Sequence, residues 1–150
     1  MLHWEDFGPD NGRRILERYT ERICTFNDDM QGTGAIALAA LLGAATVADT
    51  PMREQRIVIF GAGTAGIGIA DQLRDAMVRD AWCATVSTVR PPPAGSGRST
   101  ARGLLTDDMT DLRDFQRPYR RPAAEVKDWR RTDGGIGLAE VVARVRPVSY

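Results

Sequence analysis

Ile57-Val58-Ile59-Phe60-Gly61-Ala62-Gly63-Thr64-Ala65-Gly66-Ile67-Gly68-Ile69-Ala70 reads as a buried strand, a glycine turn and the start of a helix. Four apolar residues without alternation suit a parallel strand covered on both faces. Gly61, Gly63 and Gly66 stand at G-x-G-x-x-G spacing, which permits a tight turn, a close approach of backbone to a pyrophosphate, and close packing of helix on strand. The N-terminus of the following helix adds N–H donors and the positive end of its dipole. A dinucleotide-binding turn of Gly61, Ala62, Gly63, Thr64, Ala65 and Gly66 is expected, against the alternative of a purely structural glycine turn. An acidic residue roughly 20 positions further on would bind the ribose hydroxyls.

The 150 residues have the length of one ordinary domain, and a complete dinucleotide-binding sheet needs about that much by itself. Twenty basic side chains balance 20 acidic ones, so neither nucleic acid nor a membrane surface is implied as a partner, and a small ligand is the default. Cys24 and Cys83 lack metal-type spacing and suit a reducing, cytoplasmic setting. Glu5 and Asp6 follow Met1 too closely for a signal peptide. The longest apolar run, Ala35 to Ala45, falls short of the roughly 20 residues of a membrane span and is expected as a buried helix.

Before the glycine turn, Leu2-His3-Trp4 reads as the tail of a strand, which implies a chain beginning upstream. Asp10-Asn11 can cap a helix running through Arg22, with Ile15, Leu16 and Tyr19 on one face. Ile23 to Phe26 reads as a short strand, and Gly32 to Val47 as an alanine-rich helix of high intrinsic propensity. After the turn, the helix is expected to reach about Arg79. The character then changes: Ala81 to Thr106 holds 26 residues without one Asp or Glu, including Pro91-Pro92-Pro93-Ala94-Gly95-Ser96-Gly97. Residues 81–102 are expected to be irregular, with no central strand, because proline cannot donate to a sheet ladder. An insertion and a stretch read out of frame are the two accounts of it. Two short helices, about Ala124 to Arg130 and Gly137 to Arg146, are expected after it.

Glu5 and Asp6 end one strand, and Asp28 and Asp29 end another 23 residues later, with a helix between them. Strand-helix-strand geometry can bring both ends to one edge. Carboxylates gathered there would need a cation, and hard oxygen ligands select Mg²⁺ or Mn²⁺ over zinc. The structural alternative makes Asp28 or Asp29 a helix N-cap and Glu5-Asp6 a solvated turn.

Trp4-Glu5-Asp6-Phe7-Gly8, Cys24-Thr25-Phe26-Asn27-Asp28-Asp29-Met30-Gln31-Gly32-Thr33 and the glycine turn resemble the malic enzymes in wording and order. The resemblance covers positions 2 to 80 and resumes from Gly103-Leu104-Leu105 to Pro147. It implies an α/β fold: the end of a substrate and metal domain over residues 1–24, then an incomplete Rossmann-like NAD(P)-binding domain over 25–150. It also implies Glu5, Asp6 and Asp29 as metal ligands, Asp28 as their catalytic neighbour, and NAD as cofactor with NADP as the alternative. The implied activity is metal-dependent oxidative decarboxylation of L-malate to pyruvate and CO₂, in a homo-oligomer when intact. The alternative is a non-catalytic nucleotide-binding remnant or a regulatory Rossmann module.

The family draws its catalytic lysine and tyrosine from upstream of the first acidic pair. The one lysine here, Lys127, matches no such motif. An internal fragment, inactive alone, is the expectation. Where relatives carry the ribose-reading acidic residue, this chain has 81–102; Arg90, Arg98 and Arg102 would there greet a 2′-phosphate if the cofactor were NADP.

Overall fold

The computed structural model describes residues 1–79, 85–89, 104–132 and 135–146. It divides into two compact units, Met1–Glu54 with Gly63–Cys83 and Gln55–Ala62 with Ala84–Tyr150.

In the first unit, β1 (Leu2–Trp4) and β2 (Thr25–Asn27) pair in parallel, Trp4 lying opposite Asn27, with α1 (Gly8–Tyr19) as the connection. The Trp4 indole donates to the Thr25 hydroxyl and stacks on Tyr19, tying strand to helix. Helix α1 starts and ends earlier than its sequence suggests. Its N-cap position is Phe7, without a side-chain cap; proline lies in the first turn, and Asp10 favours the helix there through the dipole rather than by capping.

One π-helical turn, Asp28–Gly32, leads into α2 (Thr33–Val47). Its cap is Asn27, whose Oδ1 accepts the Met30 N–H at 2.9 Å, while Gln31 Oε1 accepts the Asn27 N–H at 2.9 Å. Neither aspartate caps the helix. Asp28 and Asp29 are thereby freed from the role that the structural alternative gave them.

Helix α2 forms as its alanine content dictates, yet the expectation that it is buried is corrected. Only Gly34 and Ala45 are buried, whereas Ile36 and Val47 are 74% and 91% exposed. Propensity makes the helix, but burial needs neighbours; here α3 and the π-turn pack against it. The apolar run also extends further than read, because Asp28–Val47 is helical over 20 residues at mean hydropathy 1.5. That is long and apolar enough to cross a membrane, a criterion that a core helix also meets.

Helix α3 (Thr64–Arg79) buries Ile67, Ala70, Leu73 and Met77 along one face and packs on α2, the π-turn and α1. Arg13 of α1 pairs with Asp71 of α3.

In the second unit, β3 (Arg56–Phe60) pairs in parallel with β4 (Thr85–Val89) over five residues, Arg56 opposite Thr85 and Phe60 opposite Val89. The expected irregularity of 81–102 is therefore corrected at 85–89, where a regular strand forms, although among the described residues it pairs on one side only, with β3. Ladder hydrogen bonds belong to the backbone, so a β-branched run can pair whatever the composition around it. The rest of the stretch, 81–84 and 90–102, lies outside the described residues, and Arg90, Arg98 and Arg102 with it.

Leu104, Val126, Ile136, Val141 and Val145 form the core of this unit, with Val58 and Trp129 packed against it. The short antiparallel pair β5 (Arg131–Thr132) and β6 (Gly135–Ile136) precedes α4 (Leu138–Val145), close to the expected span. Ala124 to Arg130 is not a helix. It makes successive turns, with Glu125 N–H donating to the Pro122 carbonyl and Trp129 N–H to Val126, because the chain must bend to seat Val126 and Trp129 in the core.

Candidate functional site

The two acidic motifs meet because β1 and β2 are parallel neighbours. With Trp4 opposite Asn27, the residues leaving the strands, Glu5-Asp6 and Asp28-Asp29, emerge at one sheet edge. The Asp6 N–H donates to Asp29 Oδ2 at 3.0 Å, a contact across 23 residues of sequence. Asp6 holds φ +57°, a left-handed conformation that aspartate tolerates better than most side chains. Asp28 is half-buried in the π-turn, and its carboxylate fills the place where a Gly32 side chain would stand, Asp28 Oδ1 lying where that Cβ would be. Glu5 is exposed.

This acidic turn is fixed to α3 from the far side. Gln72 Nε2 donates to the Gln31 carbonyl at 2.7 Å, and Gly68 lies so close to Met30 that a Cβ would stand 2.6 Å from its carbonyl oxygen. Asn27 itself is fully buried, and its Nδ2 has no hydrogen-bond partner among the described residues.

Within the glycine turn, Gly61 takes φ +145°, open to glycine and rarely adopted by other residues. Among the described residues, a Cβ built on Gly61 or Gly63 would meet nothing within 4 Å, which leaves these backbones approachable by a ligand. Ala62 is buried, and its carbonyl accepts a bond from Gln116 Nε2 at 2.6 Å. The Gly63 carbonyl accepts the Ile67 N–H at 3.0 Å, so helical bonding begins at once. Thr64 and Gly66 are half-buried and Ala65 is exposed.

Residues 30–149, which hold the glycine turn and begin directly after Asp28-Asp29, match the family described as malic enzyme, NAD binding domain. The chain belongs to the malic enzyme family. It is 54% identical over 149 residues to NAD-dependent malic enzyme 3 of Bacillus subtilis, covering 98% of this chain and 25% of that protein. The NAD-dependent malic enzyme of Schizosaccharomyces pombe is 40% identical over 157 residues, again covering 98% of this chain and 25% of the relative. Among solved structures, the NAD-dependent malic enzyme from Thermotoga maritima superposes with a TM-score of 0.62 at 29% identity, covering 80% of this chain and 30% of that one. The chain spans about a quarter of the length of the curated relatives it matches. Its fold is thus that of a malic enzyme NAD-binding domain, Rossmann-like in its strand-turn-helix order.

The donor chemistry of the malic enzyme edge, carboxylates from two adjacent strand ends, suits a hard divalent cation. Among the described residues, however, no group of three or more His, Cys, Asp or Glu side chains is gathered closely enough to hold a metal ion. Sequence reasoning overlooked the residues that hold this region in place. Asn27, just before two aspartates and a helix, carried a capping signal. Gly68, one step past the G-x-G-x-x-G, was a visible extra glycine whose reason is the close approach of Met30. Gln72 and Gln116 gave no signal, since a glutamine on a helix is ordinarily a solvated one.

Proposed function

We propose that this chain is part of an NAD-dependent malic enzyme, which oxidises L-malate and releases pyruvate and CO₂ as hydride passes to NAD. Its own contribution is the dinucleotide turn and one carboxylate edge. The observation that carries the reading is the Asp6–Asp29 contact, which joins the two acidic motifs at one sheet edge. In this reading Gly61 to Gly66 receive the pyrophosphate, with the open faces of Gly61 and Gly63 allowing backbone approach. Glu5, Asp6 and Asp29 would supply oxygens to Mg²⁺ or Mn²⁺ only once drawn closer together than they stand here, and Asp28, seated over Gly32, would line the same edge. When bound, the cation would chelate the substrate hydroxyl and carboxylate and stabilise the enolate left by decarboxylation. The acidic edge would orient the substrate, and the turn would orient the nicotinamide.

Catalysis further requires a base for the hydroxyl proton and an acid for the enolate, each typically worth about 10²–10⁴-fold. Lys127 is exposed and stands in the turn segment between Val126 and Trp129. We therefore expect the 150-residue chain to bind without turning over. The experiment mixes the purified chain with malate, Mn²⁺ and NAD or NADP, follows reduced nicotinamide by absorbance, and measures pyruvate separately. No malate-dependent product and tighter binding of NADH than NADPH are expected. Metal- and malate-dependent turnover would overturn the division of labour, and its loss in Lys127→Ala would make that lysine the base. Nucleotide binding that malate and Mn²⁺ leave unchanged would favour the non-catalytic nucleotide-binding remnant, and absence of any nucleotide binding would overturn the reading of the glycine turn.

A further inference from the structure

Gln116 is 2% exposed, and both ends of its amide are engaged. It sits in a 3₁₀ turn, Asp114–Tyr119, where its own N–H donates to the Arg113 carbonyl at 2.9 Å and its Oε1 accepts the Arg113 N–H at 3.0 Å. That reciprocal pair fixes the side chain's rotamer and aims Nε2 away from its own turn. The amide nitrogen then donates to the Ala62 carbonyl at 2.6 Å, 54 residues back in the sequence, in the middle of the dinucleotide turn. Ala62 is itself 2% exposed, so water offers no ready substitute for this donor.

We propose that Gln116 is a positioning residue for the dinucleotide turn: its buried amide holds the Ala62 carbonyl and, through it, the whole Ala62–Gly63 peptide. A peptide unit is planar, so fixing the carbonyl also fixes the direction of the Gly63 N–H at its other side. Glycine neighbours make such a pin necessary. Gly61 and Gly63 flank Ala62 with the widest backbone freedom of any residue, and the peptide between them could rotate without a side-chain penalty. A turn that receives a pyrophosphate through backbone N–H groups gains affinity when those groups are already oriented. The inference rests on the reading of Gly61–Gly66 as a nucleotide turn only for its consequence in binding; the pin itself is a property of the fold.

Two variants separate the donor from the volume. Gln116→Met keeps length and removes the donor. Gln116→Glu keeps the acceptor for Arg113 but presents an oxygen to the Ala62 carbonyl, unless the carboxyl is protonated and can donate again. NADH affinity of the whole chain is read by nicotinamide fluorescence, and local order by amide exchange at residues 61–64. Both variants should exchange about tenfold faster at 61–64 and bind NADH about tenfold more weakly, the fold-change of one lost buried hydrogen bond. Exchange in the core around Val126 and Val141 should stay unchanged. Gln116→Glu should recover towards the wild type between about pH 8 and pH 5, whereas Gln116→Met should not.

Unchanged exchange at 61–64 in both variants would overturn the proposal whether or not nucleotide binds. If the wild-type chain fails to bind NADH while the variants still loosen 61–64, the pin stands and the nucleotide reading falls. Should both variants unfold, the wild type decides: slow exchange of the Gln116 Nε2 protons, with scalar coupling from Nε2 to the Ala62 carbonyl carbon, supports the pin, and its absence refutes it.

Discussion

Gly68→Ala tests the claim that α3 carries the acidic turn. A Cβ at Gly68 would stand 2.6 Å from the Met30 carbonyl oxygen, 2.7 Å from its Cα and 3.0 Å from its carbonyl carbon. All three are backbone atoms, so no flexible side-chain end can yield. Restoring ordinary contact at 3.4 Å requires α3 and the Asp28–Gly32 turn to part by about 0.8 Å. A shift of that size would stretch the 2.7 Å bond from Gln72 to the Gln31 carbonyl to the limit of a hydrogen bond. Alanine gains roughly 0.8–1.0 kcal/mol over glycine within a helix. Against this stand about 1–3 kcal/mol for overpacking and about 1 kcal/mol for the weakened hydrogen bond. The net expectation is a loss of about 1–3 kcal/mol, with faster amide exchange across 28–32. The assay is urea unfolding followed by circular dichroism, with exchange read peptide by peptide. Gly43→Ala is the matched control, since among the described residues a Cβ there meets nothing within 4 Å on an exposed part of α2. It should stabilise by about 0.5–1 kcal/mol. If Gly68→Ala stabilised the chain as much as Gly43→Ala does, the close packing of the turn on α3 would be refuted.

Three further changes probe other parts of the structure. Gly61→Ala places a side chain at φ +145° without a clash among the described residues, so NADH affinity should fall through backbone strain; titration of nicotinamide fluorescence would show it, and unchanged affinity would refute the need for glycine. Asn27→Ala removes the cap on Met30 and should destabilise by about 1 kcal/mol, measured as a lower urea midpoint at unchanged slope. Glu140 is nearly buried beneath two arginines, and its carboxyl is held below the usual carboxylate range by the hydrogen bond from Arg144 first. Arg130 lowers it further, against an opposing push from burial. A carboxyl lowered on folding contributes stability that is complete above its unfolded value, near 4.5, and is lost as pH falls through the folded value. Glu140→Gln should therefore flatten the acid limb of a stability profile, and an unaltered limb would place that dependence elsewhere.

The expected burial of β3 is corrected: Ile57 to Ile59 are half-buried and Phe60 is exposed. As elements, however, the strand, glycine turn and helix from 56 to 79 were legible without coordinates because their signals are local: an apolar run, glycines at fixed spacing and an i, i+3 apolar face. The same holds for the length of α2, set by alanine, and for the two acidic motifs as motifs. What joins those motifs is not local. Only the parallel register of Trp4 with Asn27 brings Asp6 to Asp29, and no spacing rule prefers that pairing over another. Asn27 competed with two adjacent aspartates for the cap, and the π-turn decided in its favour by burying it and leaving both carboxylates at the edge. The regular pairing of β4 with β3 was not read from the sequence, because a proline run nearby outweighed five residues whose pairing depends on a partner strand already in place. Gln116 reaches Ala62 across 54 residues, and α2 keeps apolar surface exposed where its composition called for burial. Backbone preference is a property of a few neighbouring residues, whereas register, burial and a long-range hydrogen bond exist only once separate segments have been brought together.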